Sequence, residues 1–179
     1  MNIPALITLV RLLTGIVSFI FMFLNYWVLG SVFILLAVLL DIADGKIARA
    51  LKQATKSGVF LDIMVDKIVI IGTYFIVGAK INVLFFYFGL LILLREYSMD
   101  TLRTIAASEK IILSADKLSK IKGTFYMTAM VGMVFNFALL NNNAAVQAIM
   151  IVLAACGIIL AYASLTRLVL KYRKKFNLI

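Results

Sequence analysis

Six runs of twenty or more mostly apolar residues, at roughly 4–27, 29–50, 57–78, 81–106, 119–140 and 144–171, fill nearly all of this 179-residue chain. A helix needs about 20 such residues to cross a hydrocarbon core, so each run has the length of a span. The breaks are short: Asn25-Tyr26-Trp27 running to Gly30, the polar stretch 52–57, Gly78-Ala79-Lys80, a charged stretch near 107–118, and Asn141-Asn142-Asn143. None can house a second domain, and no internal repeat is visible. The expectation is one all-α membrane domain over residues 1–179, a bundle of six transmembrane helices. Composition agrees: the chain is 64% hydrophobic with a mean hydropathy of +1.10, whereas a soluble domain is roughly half apolar.

Met1-Asn2-Ile3-Pro4 carries no basic side chain before the first apolar run, and no small-residue cleavage pattern follows it. The run 4–27 therefore reads as a retained span and not as a signal peptide. Basic residues alternate from break to break. Lys46, Arg49, Lys52 and Lys56 flank the second connection, six Lys and Arg from Arg95 to Lys122 flank the fourth, and Arg167 to Lys175 crowd the C-terminus. The first and fifth connections have none, and the third has only Lys80. The positive-inside rule then puts both termini in the cytoplasm, which an even number of spans satisfies. The net charge of +10 suits anionic membrane lipids. It does not suggest nucleic acid, because the charges sit at membrane edges. The one cysteine, Cys156, lies in an apolar run, and the chain has no histidine. That removes His-based acid/base chemistry and most zinc sites.

Asp41, Asp44, Asp62 and Asp66 are four of only eight acidic residues, and all lie inside expected spans. A carboxylate at membrane depth costs several kcal/mol and usually lines a cavity or pathway. Asp41 and Asp44 are i, i+3 and Asp62 and Asp66 are i, i+4, so each pair shares a helix face. The short polar loop between their helices predicts antiparallel neighbours with all four carboxylates converging near the cytoplasmic side. Four such charges repel unless cations sit among them. Oxygen-only ligands favour Mg²⁺ or Mn²⁺, and four carboxylates can hold two ions of the kind that clamp phosphoryl oxygens. Gly45, Ala48 and Gly58, in register with the aspartates, fit a ligand groove as well as close helix packing. An ion- or proton-coupled transporter would use the same acids, although neither inverted repeats nor broken helices are visible. A membrane scaffold would leave the aspartates unexplained.

Asp41-x2-Asp44-Gly45-x2-Ala48-Arg49-x8-Gly58-x3-Asp62-x3-Asp66 resembles, at every fixed position, the signature of the CDP-alcohol phosphatidyltransferases. That family consists of integral membrane enzymes, commonly six-helix homodimers, which transfer a substituted phosphate from a CDP-linked lipid or alcohol to an acceptor hydroxyl and release CMP. The resemblance implies that Asp41, Asp44, Asp62 and Asp66 surround two divalent cations and that Asp66 is the general base. It also implies that Gly45, Ala48 and Gly58 border the nucleotide and that Arg49 meets phosphate or an aspartate.

Asn2-Ile3-Pro4 with Thr8 and Arg11 resembles the opening of phosphatidylglycerophosphate synthases, and Thr8 joins the expected CDP-lipid contacts. Arg95-Glu96, Leu102-Arg103 and Lys120-Ile121-Lys122 resemble later segments of the same subfamily. CDP-diacylglycerol and sn-glycerol 3-phosphate are then the expected substrates. Arg95 and Arg103, eight residues apart, drift only about 80° around one helix. Both can face one cavity, with Lys120 or Lys122 arriving from the next span to grip the acceptor phosphate. Departures occur at Ala5, at Ile63-Met64-Val65 and at Ser119, so inositol phosphate, serine and other alcohols remain alternative acceptors.

Overall fold

The computed structural model describes the backbone of residues 3–51, 56–109, 111 and 117–172, and their side chains except at 3–4, 44–51, 56–57, 59 and 117–120. Lys52 and the basic residues Arg173, Lys174 and Lys175 lie outside the described residues. Six helices follow one another: α1 (Ile3–Phe23), α2 (Trp27–Leu51), α3 (Lys56–Lys80), α4 (Val83–Ser108), α5 (Lys117–Leu139) and α6 (Ala144–Tyr172). The all-α expectation holds, and most helix ends fall within two residues of the apolar runs.

The largest difference is at α1, which stops at Phe23 because asparagine chemistry ends it early. Asn25 takes a left-handed conformation with φ 66°. The Tyr26 amide then reaches back to the Phe21 carbonyl at 2.8 Å and the Asn25 amide to Met22 at 3.1 Å, which together form a Schellman cap. Asn82 caps α4 by accepting from the Leu84 amide at 3.0 Å. Between α5 and α6, Asn141 and Asn142 are left-handed, and Asn143 caps α6 by accepting from the Ala145 amide at 3.0 Å. Asparagine tolerates left-handed backbone and closes local hydrogen bonds, so apolar runs broken by asparagine become hairpins.

Contacts fix the directions. Ser18 donates to the Gly30 carbonyl and Arg11 meets Asp41, so α1 and α2 run antiparallel. Arg11, Gly15 and Phe19 meet Asp62, Val69 and Gly72 in that order, so α1 and α3 run parallel. A side chain at Gly15 would place its Cβ 2.9 Å from a Val69 methyl; the bare glycine lets α1 and α3 approach. Lys67 pairs with Asp100 while Phe75 packs on Phe86, making α3 and α4 antiparallel. α5 packs on α2, α3 and α6, and α4 packs on α6. Among the described residues α2 and α3 make no direct backbone contact, and α1 lies against both. The expectation that they pack as neighbours is therefore corrected: a short connection keeps two ends close but does not force two helices together.

The bundle is apolar outside. Leu13, Phe23, Leu39, Phe60, Leu94 and Ile159 are each more than half exposed, whereas Arg11 and Arg95 are 1% exposed. Among the described residues, Ala5–Phe23 and Ala144–Tyr172 are long and apolar enough to cross a membrane on those criteria alone, and the apolar part of α2, Trp27–Ala43, is shorter. The other helices carry most of the charges at the site: Asp62, Asp66 and Lys67 on α3, Arg95, Glu96, Asp100 and Arg103 on α4, and Lys122 on α5, beside Arg11 of α1 and Asp41 of α2. All cluster at one end of the bundle. The opposite end holds the asparagine turns and Lys80, whose ammonium lies 4.7 Å from the Phe23 ring centre.

Candidate active site

Asp62 and Asp66 sit one helical turn apart on α3 and face Asp41 on α2. A carboxylate oxygen of each lies within 4.8 Å of the others. The three side chains are 28–44% exposed, so water reaches them from the charged end. The fourth aspartate, Asp44, follows Asp41 by one turn near the end of α2. The side chains of Asp44, Gly45, Ala48 and Arg49 lie outside the described part of that helix. Gly58 lies one turn before Asp62 at the start of α3, and Thr8 is buried one turn before Arg11 on α1.

Arg11 binds the three aspartates together. Its Nη1 donates to Asp41 Oδ1. Its Nη2 donates to Asp62 Oδ1 at 2.9 Å and the Asp62 carbonyl at 3.1 Å, and lies 3.0 Å from Asp66 Oδ1. α1 wedges between α2 and α3, and its arginine crosses the gap that direct packing was expected to close. Sequence reading gave Arg11 only a place in a resemblance. The available signal was its isolation: it is the one charged residue of α1, and a buried cation needs acidic partners. One guanidinium does not balance three carboxylates. The donor set is all oxygen, in a chain without histidine and with one distant cysteine, and it fits a hard cation such as Mg²⁺ or Mn²⁺.

Two cavities meet at Asp66. The larger, about 730 Å³, runs between α2, α3 and α5 from Asp41 and Asp66 past Ile70, Met127 and Val131 to Met150, and is mostly apolar. The smaller, about 180 Å³, opens between α3, α4 and α5 and is lined by Asp66, Lys67, Glu96, Arg103, Lys122 and Tyr126 among others. Ile70 and Gly123 line both as well.

The expected cationic cluster divides here. Lys122 lines the smaller cavity and donates to Glu96 at 2.5 Å. Arg103 lines it too, with a side chain 54% exposed and a loose 3.9 Å contact to Asp100. Arg95 does not line it. It lies behind Glu96, donating from Nη1 at 2.6 Å and from Nε to the Ala161 carbonyl of α6 at 3.4 Å. An 80° drift is enough to turn one arginine toward α6 and leave the other at the cavity. Lys120 is in the first turn of α5, with its side chain outside the described part. Tyr126 is 3% exposed, and its hydroxyl has no hydrogen-bond partner among the described residues. Lys67, Glu96 and Tyr126 are site residues that motif reading missed, because their part in the cavity depends on how α3, α4 and α5 come together.

Known proteins carry the same arrangement of sequence. Residues 1–163 match the CDP-alcohol phosphatidyltransferase family. A CDP-diacylglycerol–glycerol-3-phosphate 3-phosphatidyltransferase of Wigglesworthia glossinidia brevipalpis is 32% identical over 140 residues, covering 72% of this chain and 74% of the relative. A protein of the same name from Cereibacter sphaeroides is 35% identical over 135 residues, 72% of this chain and 61% of its own length. A CDP-diacylglycerol–inositol 3-phosphatidyltransferase of Drosophila melanogaster is 38% identical over 65 residues, 36% of this chain and 29% of the relative. The family match spans the aspartate cluster, both cavities and part of every helix, and on it the chain belongs to the CDP-alcohol phosphatidyltransferase family.

Proposed function

We propose that this enzyme transfers the phosphatidyl group of CDP-diacylglycerol to sn-glycerol 3-phosphate, forming phosphatidylglycerophosphate and CMP. The observation that carries the reading is the meeting of two unlike cavities at Asp66. The apolar cleft suits the lipid donor. The smaller cavity offers Arg103 and Lys122 to a phosphate, and its buried Tyr126 hydroxyl awaits a polar partner of the kind buried polar groups require. A small phosphorylated alcohol answers both. The names of the Wigglesworthia and Cereibacter relatives favour glycerol phosphate. The shorter Drosophila match keeps inositol as the second acceptor to test.

Asp41, Asp44, Asp62 and Asp66 would hold two divalent cations, Mg²⁺ or Mn²⁺. When bound, such ions supply charge stabilisation to the diphosphate oxygens and the departing CMP. Arg103 and Lys122, joined by Lys120, hold the acceptor phosphate, and Arg95 fixes Glu96 behind them. Thr8, Gly45, Ala48, Arg49 and Gly58 border the CDP portion. The acceptor hydroxyl oxygen attacks the phosphatidyl phosphorus in line. Its proton passes to Asp66 as the new P–O bond forms and the bond to CMP breaks.

The bundle spans the membrane with all six helices and works as a homodimer, with its charged end and both termini in the cytoplasm. An apolar exterior and charges gathered at one end support that placement. The deciding assay is CMP release by purified protein given CDP-diacylglycerol and Mg²⁺ or Mn²⁺, with glycerol 3-phosphate, inositol phosphate, inositol and serine presented separately. Release with glycerol 3-phosphate alone is expected. Release with another acceptor alone would keep the chemistry and overturn the acceptor.

A further inference from the structure

Arg11 is 1% exposed, yet it reaches carboxylates on two helices that make no direct backbone contact among the described residues. Its approach is from the protein side. The carboxylates it touches are 28–44% exposed and its own side chain only 2%, so an incoming ion meets the aspartates from the water side with the guanidinium behind them. We propose that Arg11 is the resident counter-cation of the cluster. It is a positioning residue that keeps the carboxylates converged before divalent cations enter, and it competes with those cations for the same oxygens. Its charge thereby lowers metal affinity. The inference rests on the metal reading of the aspartates given above.

Two effects act in opposite directions. Holding the carboxylates together saves reorganisation when an ion arrives. A fixed positive charge on the same oxygens repels that ion, and repulsion between close charges in a partly dry site is strong. The pair of effects separates experimentally because one acts on the metal-free protein and the other on the complex. Without Arg11, three neighbouring carboxylates lose their shared partner and repel one another across a partly dry site, which destabilises the metal-free fold. The divalent ion then becomes the main relief of their repulsion, and binding to the folded state stabilises it by an amount that grows with the logarithm of affinity.

The test is Mn²⁺ titration of full-length protein in detergent micelles, read by loss of the free-ion electron paramagnetic resonance signal, with thermal melts in chelator and in Mn²⁺. Arg11→Gln should bind Mn²⁺ at least tenfold tighter, about 1.4 kcal/mol by the affinity relation. It should also melt lower in chelator and gain more from Mn²⁺ than the wild type. Arg11→Lys keeps the charge but loses the fork that spans three carboxylates. It should bind Mn²⁺ within about threefold of wild type and still melt lower in chelator. Binding by Arg11→Gln that equals or falls below wild type overturns the proposal. If that variant does not fold, an Arg11→Lys protein melting like wild type in chelator overturns it instead. Mn²⁺ bound by neither wild type nor Arg11→Gln removes the metal site itself, and this role with it.

Discussion

Asp66 is the proposed base because it touches both cavities, where donor phosphorus and acceptor hydroxyl have to meet. Asp66→Asn keeps the size and removes the proton acceptor. It should lower kcat by about 10²–10⁴, the usual worth of a general base, and change CDP-diacylglycerol binding little. Turnover near wild type, with binding measured in the same preparation, excludes the role. Arg103 makes a second prediction. Its side chain is half exposed and only loosely tied to Asp100, so Arg103→Ala should leave folding intact. The acceptor KM should rise about 10- to 100-fold, the value of a charge-assisted hydrogen bond, while the CDP-diacylglycerol KM stays nearly constant. An equal rise in both constants would remove Arg103 from the acceptor phosphate. The aspartates were legible in sequence because carboxylates in an apolar run have few innocent uses. Arg95 and Arg103 were not separable there, since helical angle alone does not say which neighbour, α6 or open cavity, lies in a given direction.

The helices themselves were legible because hydropathy marks their bodies and asparagine marks their ends. Asn136 shows how closely an end is built. It is fully buried on α5, donating from Nδ2 to the Asn143 carbonyl at 3.1 Å and accepting from the Asn143 amide at 3.0 Å. This side chain latches the α5–α6 hairpin at the end away from the site. Asn136→Ala removes both hydrogen bonds to the Asn143 backbone and should cost about 1–3 kcal/mol, the net worth of two such bonds, read as a lower unfolding midpoint in detergent. The kinetic constants of the surviving folded protein should match wild type; altered acceptor KM would mean that the latch also shapes the cavity. Helix order in space was less legible. A polar loop of a few residues between α2 and α3 suggested contact. Yet α1 lies against both and inserts Arg11 between their acids, and only the three-dimensional placement of a helix remote in sequence shows it.

For the whole molecule, the strongest regularity is the segregation of charge to one end of an apolar bundle. The proposed acceptor is water-soluble and would enter at that end, which the positive-inside rule predicts to face the cytoplasm. On that proposal the asparagine turns face the other side of the membrane. Cysteine labelling can test this directly once Cys156, itself exposed on α6, is changed to serine. Leu140→Cys places a thiol at the exposed α5–α6 turn and Ser108→Cys places one at the exposed end of α4. In intact bacterial cells a membrane-impermeant maleimide should label Leu140→Cys. It should label Ser108→Cys only after permeabilisation, because that position shares the end that carries Arg103 and the clustered aspartates. Labelling of Ser108→Cys alone in intact cells would invert the protein and place the carboxylates outside, away from the proposed cytoplasmic acceptor. Labelling of both would mean that the two ends are not separated by a membrane, and the six-span reading would fall with it.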